Sequence, residues 1–381
     1  GLTTGLDIFS GTVAHRRPPD EEFMQLRHHH RCYKSKATLR YLLTSRMGIE
    51  FVDLSSGTAS PHNWVRGGCS YGIMPANGLI YAPPHACTCY NEKLVHGLTA
   101  LAGQKFRGPK KQKETEPRLK QGPADAGSPG REAAPDDWPT YRHDISRSGA
   151  ASTRVSGDLR RAWRARLEGD ITPPTAARGK VFVCTPDTHA VHALKETSGA
   201  KVWSFRADGR VDTPPTYYRG SVYFGSACGF VYCLNAETGR LRWRFRAAPA
   251  DRLIVSHGQL ESAWPVHGSV LAVDGRIYLA AGRTAPMDGG LRLYALDAET
   301  GEVLASNRLR QGTRAQIMSS KGENIFMRET VLDRQLQKRK KSVPHLIPGY
   351  GYRDESWKHR TYWLYGTRIG GHWGGWPRPP Q

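Results

Sequence analysis

Gly179-Lys180-Val181-Phe182-Val183, Ala190-Val191-His192-Ala193-Leu194 and Thr197-Ser198-Gly199-Ala200-Lys201-Val202-Trp203-Ser204-Phe205 return about forty positions later. The second copy reads Gly220-Ser221-Val222-Tyr223-Phe224, Phe230-Val231-Tyr232-Cys233-Leu234 and Glu237-Thr238-Gly239-Arg240-Leu241-Arg242-Trp243-Arg244-Phe245. A third begins at Gly275-Arg276-Ile277-Tyr278-Leu279 and ends at Leu296-Asp297-Ala298-Glu299-Thr300-Gly301. Self-similarity at this period is the mark of a solenoid or propeller. Trp163, Trp203 and Trp243 keep the same time, and each indole is expected in the wedge between neighbouring units with its N–H on an adjacent turn.

Composition agrees with an all-β chain. With 41 Gly and 25 Pro among 381 residues, many short strands joined by tight turns are expected. No apolar run approaches the roughly 18 residues that span a bilayer, so no transmembrane segment is expected. The net charge of +21 raises nucleic acid as a partner. It is spread along the repeats, however, and concentrated only in Lys110-Lys111-Gln112-Lys113 and Lys338-Arg339-Lys340-Lys341, with no stacking platform beside it; specific nucleic-acid binding is not expected.

Four segments follow from the pattern: 1–103 as N-terminal blades, 104–135 as a flexible linker or long inserted loop, 136–310 as the regular blades, and 311–381 as a C-terminal blade with an aromatic-rich tail. All are expected to join one propeller. Leu6 to Gly11 and Phe51 to Gly57 match the later Leu296 to Gly301: a strand runs into a turn whose Asp and Ser/Thr cap the backbone and whose Gly accepts a positive φ. The chain opens inside such a repeat, so it reads as a fragment of a longer protein. Residues 104–135 are rich in Lys, Pro and Gly and almost free of apolar residues. Asp170 to Thr175 corresponds to Val211 to Thr216, and the proline pair in each suits a loop leading into an innermost strand, where a ladder donor is not needed.

Chemistry-bearing residues concentrate where the repeat fails. Cys69, His85, Cys87 and Cys89 form a disulfide or metal candidate set: a Cys69 bridge to Cys87 or Cys89 ranks first, and a zinc site with His85 second, because one residue between two cysteines is uncommon for structural zinc. His28-His29-His30 alternate across a strand and cannot converge on one ion. Gly301 follows Gly239 by 62 positions instead of forty. The added residues include Arg252, Gln259, Glu261, Trp264 and His267, a mixture of acid, base and aromatic groups expected to form a ligand or partner surface, with a purely structural insertion as the alternative. No Gly-x-Ser-x-Gly, phosphate-loop or His-Glu-x-x-His motif occurs, while a dispersed Ser/His/Asp arrangement stays open.

The pattern from Gly220 to Phe245, Gly-x-Val-Tyr-x-Gly-Ser-x-x-Gly-x-Val-Tyr-x-Leu-x-Ala-x-Thr-Gly-x-x-x-Trp-x-Phe, resembles the repeat of pyrroloquinoline-quinone-type β-propellers. Asn77 to Tyr90, Asp137 to Asp144, Gln259 to Gly268 and His359 to Gly366 are similar to the large quinoprotein-like repeat proteins of bacteria, planctomycetes especially. The resemblance implies a propeller of four-stranded blades, seven or eight in number and incomplete in this chain if it is a fragment. It also implies a periplasmic or otherwise extracytoplasmic location. Catalytic members use a vicinal disulfide beside the quinone, a calcium ion on carboxylate and amide oxygens, and an aspartate base. This chain has no adjacent cysteines; Cys87-Thr88-Cys89 is one residue off. Non-catalytic relatives use the propeller as a docking platform. The expectation is a binding or scaffold module for protein or polysaccharide, with a pyrroloquinoline-quinone- and calcium-dependent dehydrogenase as the alternative.

Overall fold

The computed structural model describes residues 3–17, 34–44, 48–62, 65–84, 98–103, 117–124, 130–256, 259–283, 285, 288–310, 317–348 and 363–368. Among them every regular element is a strand apart from one 3-10 turn, Pro186–Thr188. The chain divides into a unit of Gly1–Lys110 with Val255–Gln259, and a second of Lys111–Ile254 with Leu260–Gln381.

The first unit holds a hairpin, Thr3–Leu6 with Val13–Arg17, a four-stranded sheet from Lys36–Ala37 to Ala59–His62, and a three-stranded sheet of Met74–Ala76, Leu79–Ala82 and Thr99–Ala102. Its Asp-containing turns are built as their residues require. Asp53 Oδ1 accepts the Ser55 and Ser56 amides at 2.9 and 3.2 Å, Gly57 N donates to Asp53 O, and Gly57 has a φ of 69°. The Asn77-Gly78 pair, both at positive φ, closes the hairpin between Met74–Ala76 and Leu79–Ala82. Leu43, Ile49, Val65, Ile73 and Ala82 form the core.

The second unit contains the repeats as four consecutive antiparallel sheets. Blade I is Thr175–Ala177, Lys180–Thr185, Ala190–Lys195 and Lys201–Arg206; blade II is Thr216–Tyr218, Ser221–Gly225, Phe230–Asn235 and Leu241–Arg246. Blade III is Leu271–Val273, Arg276–Ala281, Leu291–Asp297 and Val303–Leu309; blade IV is Met318–Lys321, Asn324–Met327 and Thr330–Leu332. The innermost strands follow the Pro173-Pro174 and Pro214-Pro215 pairs, as their sequences imply. Blades I to III bulge at the same place in the repeat, between Ala193 and Leu194, Cys233 and Leu234, and Ala295 and Leu296.

A blade has neighbours on both faces, which is why its middle strands read as continuous apolar runs instead of alternating ones. Val231, Tyr232, Cys233 and Leu234 are all buried. Phe182, Trp203, Val222, Phe224 and Tyr232 join blades I and II, and Leu271, Leu293, Ile325 and Met327 join III and IV. The tryptophans repeat one joint. The Nε1 groups of Trp163, Trp203 and Trp243 donate to the carbonyls of Glu196, Ala236 and Ala298, each three residues before a turn glycine. A methyl group on Gly199, Gly239 or Gly301 would run into the corresponding indole, and all three glycines have positive φ. Trp163 makes this joint from a segment outside any described sheet, whereas Trp203 and Trp243 lie in the strands Lys201–Arg206 and Leu241–Arg246.

Residues 138–149 pack against the innermost strands and satisfy edge groups that would otherwise stay unpaired. Trp138 and Ala176 exchange backbone hydrogen bonds at 2.8 Å, Tyr217 N donates to Pro139 O, and Ser320 N donates to Ile145 O. Arg147 is fully buried beneath this segment. Its guanidinium donates to Met318 O, Thr140 Oγ1, Tyr141 O and Val270 O, tying blade IV to the loop leading into blade III. Burial pushes its pKa down to about 10.

The stretch 104–135, expected as a linker or inserted loop, contains a strand. Leu119–Gln121 pairs with Leu241–Arg246 and makes blade II five-stranded. Ala133 packs on the blade I–II core, and Glu132 pairs with Arg219. Gly residues and lysines hid these contacts because strand addition is carried by the main chain.

Candidate functional site

The loops leading into the innermost strands carry a buried ionic network. Ile171, Asp212 and His267 each lie four residues before the first residue of the innermost strand in blades I, II and III. Adjacent blades therefore set Asp212 beside His267, with His267 Nδ1 3.0 Å from Asp212 Oδ2. Arg210 Nε donates to Asp212 Oδ1 at 2.6 Å, and its Nη2 lies 3.2 Å from Glu261 Oε2. Arg283 pairs with the other oxygen, Glu261 Oε1. All five side chains are buried.

The backbone around the network is fixed by hydrogen bonds between its loops. Ser226 Oγ donates to Gly209 O, Ala227 N to Arg210 O, Ser262 N to Ala227 O, and Val266 N to Ser226 O. These bonds hold the Ser226–Gly229 turn of blade II against both the 209–212 loop and the 262–266 segment. Burial by itself would raise the pKa of Asp212. The His267 hydrogen bond and the Arg210 charge more than offset it, so the carboxyl stays well below the usual carboxylate range.

Two of the residues singled out by sequence, Glu261 and His267, thus enter one network. Arg252 and Trp264 meet elsewhere, at Asp288: Arg252 Nη1 lies 2.8 Å from Oδ1, and Trp264 Nε1 donates to the carbonyl at 3.0 Å. Gln259 is half-buried at the start of the strand Gln259–Ser262 and is grouped with the first unit. Arg210, Asp212, Arg283 and Asp288 were missed. The signal for Asp212 was present in Val211-Asp212-Thr213-Pro214-Pro215, where it replaces the Ile171 of the preceding copy.

Cys69 is half-buried, with Arg66 Nη1 3.7 Å from its sulfur. His85, Cys87 and Cys89 lie outside the described residues, as do His28, His29 and His30. Cys184 and Cys233 are buried thiols in the blades, and burial pushes Cys233 up to about 12. Cys228 lies in the blade II turn, 3.0 Å from Ser226 Oγ and 3.7 Å from the Tyr232 hydroxyl, and burial raises it too.

The carboxylates of the network do not fit a calcium centre. Calcium requires six to eight oxygens. The Asp212 and Glu261 carboxylates are engaged by arginine and histidine, and no group of three or more metal-ligating side chains occurs among the described residues.

Residues 150–316 match the family model described as outer membrane protein assembly factor BamB. The dehydrogenase subunit of a quinone-dependent alcohol dehydrogenase from Gluconobacter oxydans is 28% identical over 194 residues, 44% of this chain and 24% of that protein. The outer membrane protein assembly factor BamB of Vibrio cholerae is 24% identical over 172 residues, 42% of this chain and 39% of the relative. Among solved structures, a quinohemoprotein alcohol dehydrogenase from Pseudomonas putida matches with a TM-score of 0.43 at 15% identity, over 60% of this chain and 40% of that one. BamB from Moraxella catarrhalis matches with a TM-score of 0.27 at 14% identity, over 83% and 88%. This chain spans less than half the length of the curated relatives it matches.

Proposed function

We propose that this repeat protein of the pyrroloquinoline-quinone-type β-propeller class is a non-catalytic docking module for protein partners outside the cytoplasm. The observation that supports this reading is the closed accounting of charge in the network. Asp212, a buried carboxylate in the loop leading into blade II, is engaged on both oxygens by Arg210 and His267. A buried carboxylate paired on both oxygens is less available to take a proton from a substrate. The blades meanwhile present a rigid scaffold with variable loops, which suits recognition.

A second reading, a quinone-dependent dehydrogenase, is favoured by the similarity to dehydrogenase subunits over 44% of the chain. An absorbance titration with pyrroloquinoline quinone and calcium separates the two. The docking reading expects no saturable spectral change, and one-to-one quinone binding would overturn it. The similarity to BamB supports a protein partner and an extracytoplasmic setting; nothing comparable supports a polysaccharide. No helix among the described residues is long and apolar enough to cross a membrane.

A further inference from the structure

Residues 118–122, Arg-Leu-Lys-Gln-Gly, are bound by the rest of the second unit as a peptide would be. Leu119, Lys120 and Gln121 lie opposite Phe245, Arg244 and Trp243 on the outer strand of blade II. The ladder continues past them: Arg246 N donates to Arg118 O at 2.7 Å, and Gly122 N donates to Arg242 O at 2.6 Å. Side chains then distinguish this segment from any other extended one. The Arg118 guanidinium sits 5.0 Å from the Phe245 ring centre and 5.2 Å from that of Tyr294, in blade III. It also donates to Arg246 O at 3.1 Å, to Ala247 O at 3.3 Å and to the Tyr294 hydroxyl at 2.7 Å. Gln121 Nε2 donates to Thr300 O at 2.9 Å in the turn of blade III. At Gly122 a side chain would collide with the Leu241 carbonyl.

Each of these contacts has a separate cause. The main chain supplies pairing that any strand could use, and the aromatic slot selects a planar cation. Three donations from one guanidinium need its fork, which a lysine ammonium cannot reproduce. The slot lies between two blades, so it exists only where the outer strand of blade II meets the third strand of blade III. Blades I and III carry no fifth strand among the described residues.

We propose that the outer edge of blade II, with the Phe245–Tyr294 slot, is a strand-addition site for extended segments of the form Arg-aliphatic-x-Gln-Gly. The chain occupies this site in cis through residues 118–122 and thereby shields it. A partner protein carrying such a segment competes for it. This deepens the docking reading by naming one surface and the chemistry of what it takes.

The test uses a fluorescent synthetic peptide of residues 115–126 and three forms of the full chain: unaltered, Arg118→Ala, and Arg118→Ala with Lys120→Pro, which cannot sit in the ladder opposite Arg244. Affinity is expected to rise from the unaltered chain to the single variant and further to the double variant, by about tenfold or more overall. A peptide carrying Lys or Ala in place of arginine is expected to bind the double variant about tenfold more weakly. Equal binding of the arginine and alanine peptides would overturn the proposal, as would no binding to a double variant that keeps its near-ultraviolet circular dichroism. Should the double variant fail to fold, the single variant decides by the same two comparisons. A protein partner whose binding ignores excess peptide would leave the docking module standing and remove this slot from it.

Discussion

Blades I and II are built on one repeat pattern, and two of their differences set them apart chemically. At the loop leading into the innermost strand, blade I has Ile171, 53% exposed, where blade II has Asp212, 5% exposed and paired with Arg210 and His267. At the outer edge, residues Lys201–Arg206 of blade I end the sheet among the described residues, while Leu241–Arg246 of blade II carry the added strand Leu119–Gln121. The shared residues build the wedge: Trp203 and Trp243, their glycines, and the buried middle strands. The differing residues build chemistry. On the proposed docking reading, recognition lies at departures from a repeat whose common part supplies rigidity.

Asp212 carries the largest expected effect. Asp212→Ala leaves Arg210 and His267 buried without this carboxylate and is expected to cost about 3–5 kcal/mol, whereas Ile171→Ala at the equivalent exposed position is expected to cost about 1 kcal/mol or less. Urea unfolding of both variants checks the contrast. Trp243 and Trp163 make the same joint at different depths. Trp243→Ala is expected to cost about 3–5 kcal/mol because the ring is fully buried, and Trp163→Ala about 1 kcal/mol because it is partly exposed; thermal melts will rank them. Gly239→Ala combines a positive φ with a methyl group directed at Trp203, and a loss of about 1–3 kcal/mol is expected by the same melts.

The smallest effect is the acid limb of stability. The Asp212 carboxyl is depressed in the folded state, so its contribution is fully present above its ordinary value of 3.8 and is lost as pH falls toward the folded value. Denaturant midpoints of the unaltered chain are expected to hold near neutral pH and drop below about pH 4. The Asp212→Asn variant is expected to show a shallower drop over the same window. An identical acid limb in both would show that Asp212 is not the group being protonated.

Much of the fold was legible because the repeat states its own joints. Gly239 and Trp203 sit in fixed relation in the sequence and in contact in the structure, and the proline pairs sit just before the innermost strands. The network was half legible: Glu261 and His267 stood out in an insertion, but Arg210 and Asp212 lie inside the repeat and are recognised only by comparing copies. Arg118 was invisible. Nothing in a lysine- and proline-rich stretch announces an added strand, because its pairing is made by backbone groups that every residue has, and its slot is assembled from Phe245 and Tyr294 in different blades.

The proposed docking module catalyses no oxidation. Dye-linked alcohol oxidation after incubation of the chain with pyrroloquinoline quinone and calcium tests it most directly. The expected result is dye reduction no faster than in a control with quinone and calcium alone. Turnover that scales with protein concentration and is abolished by Asp212→Asn would contradict the account.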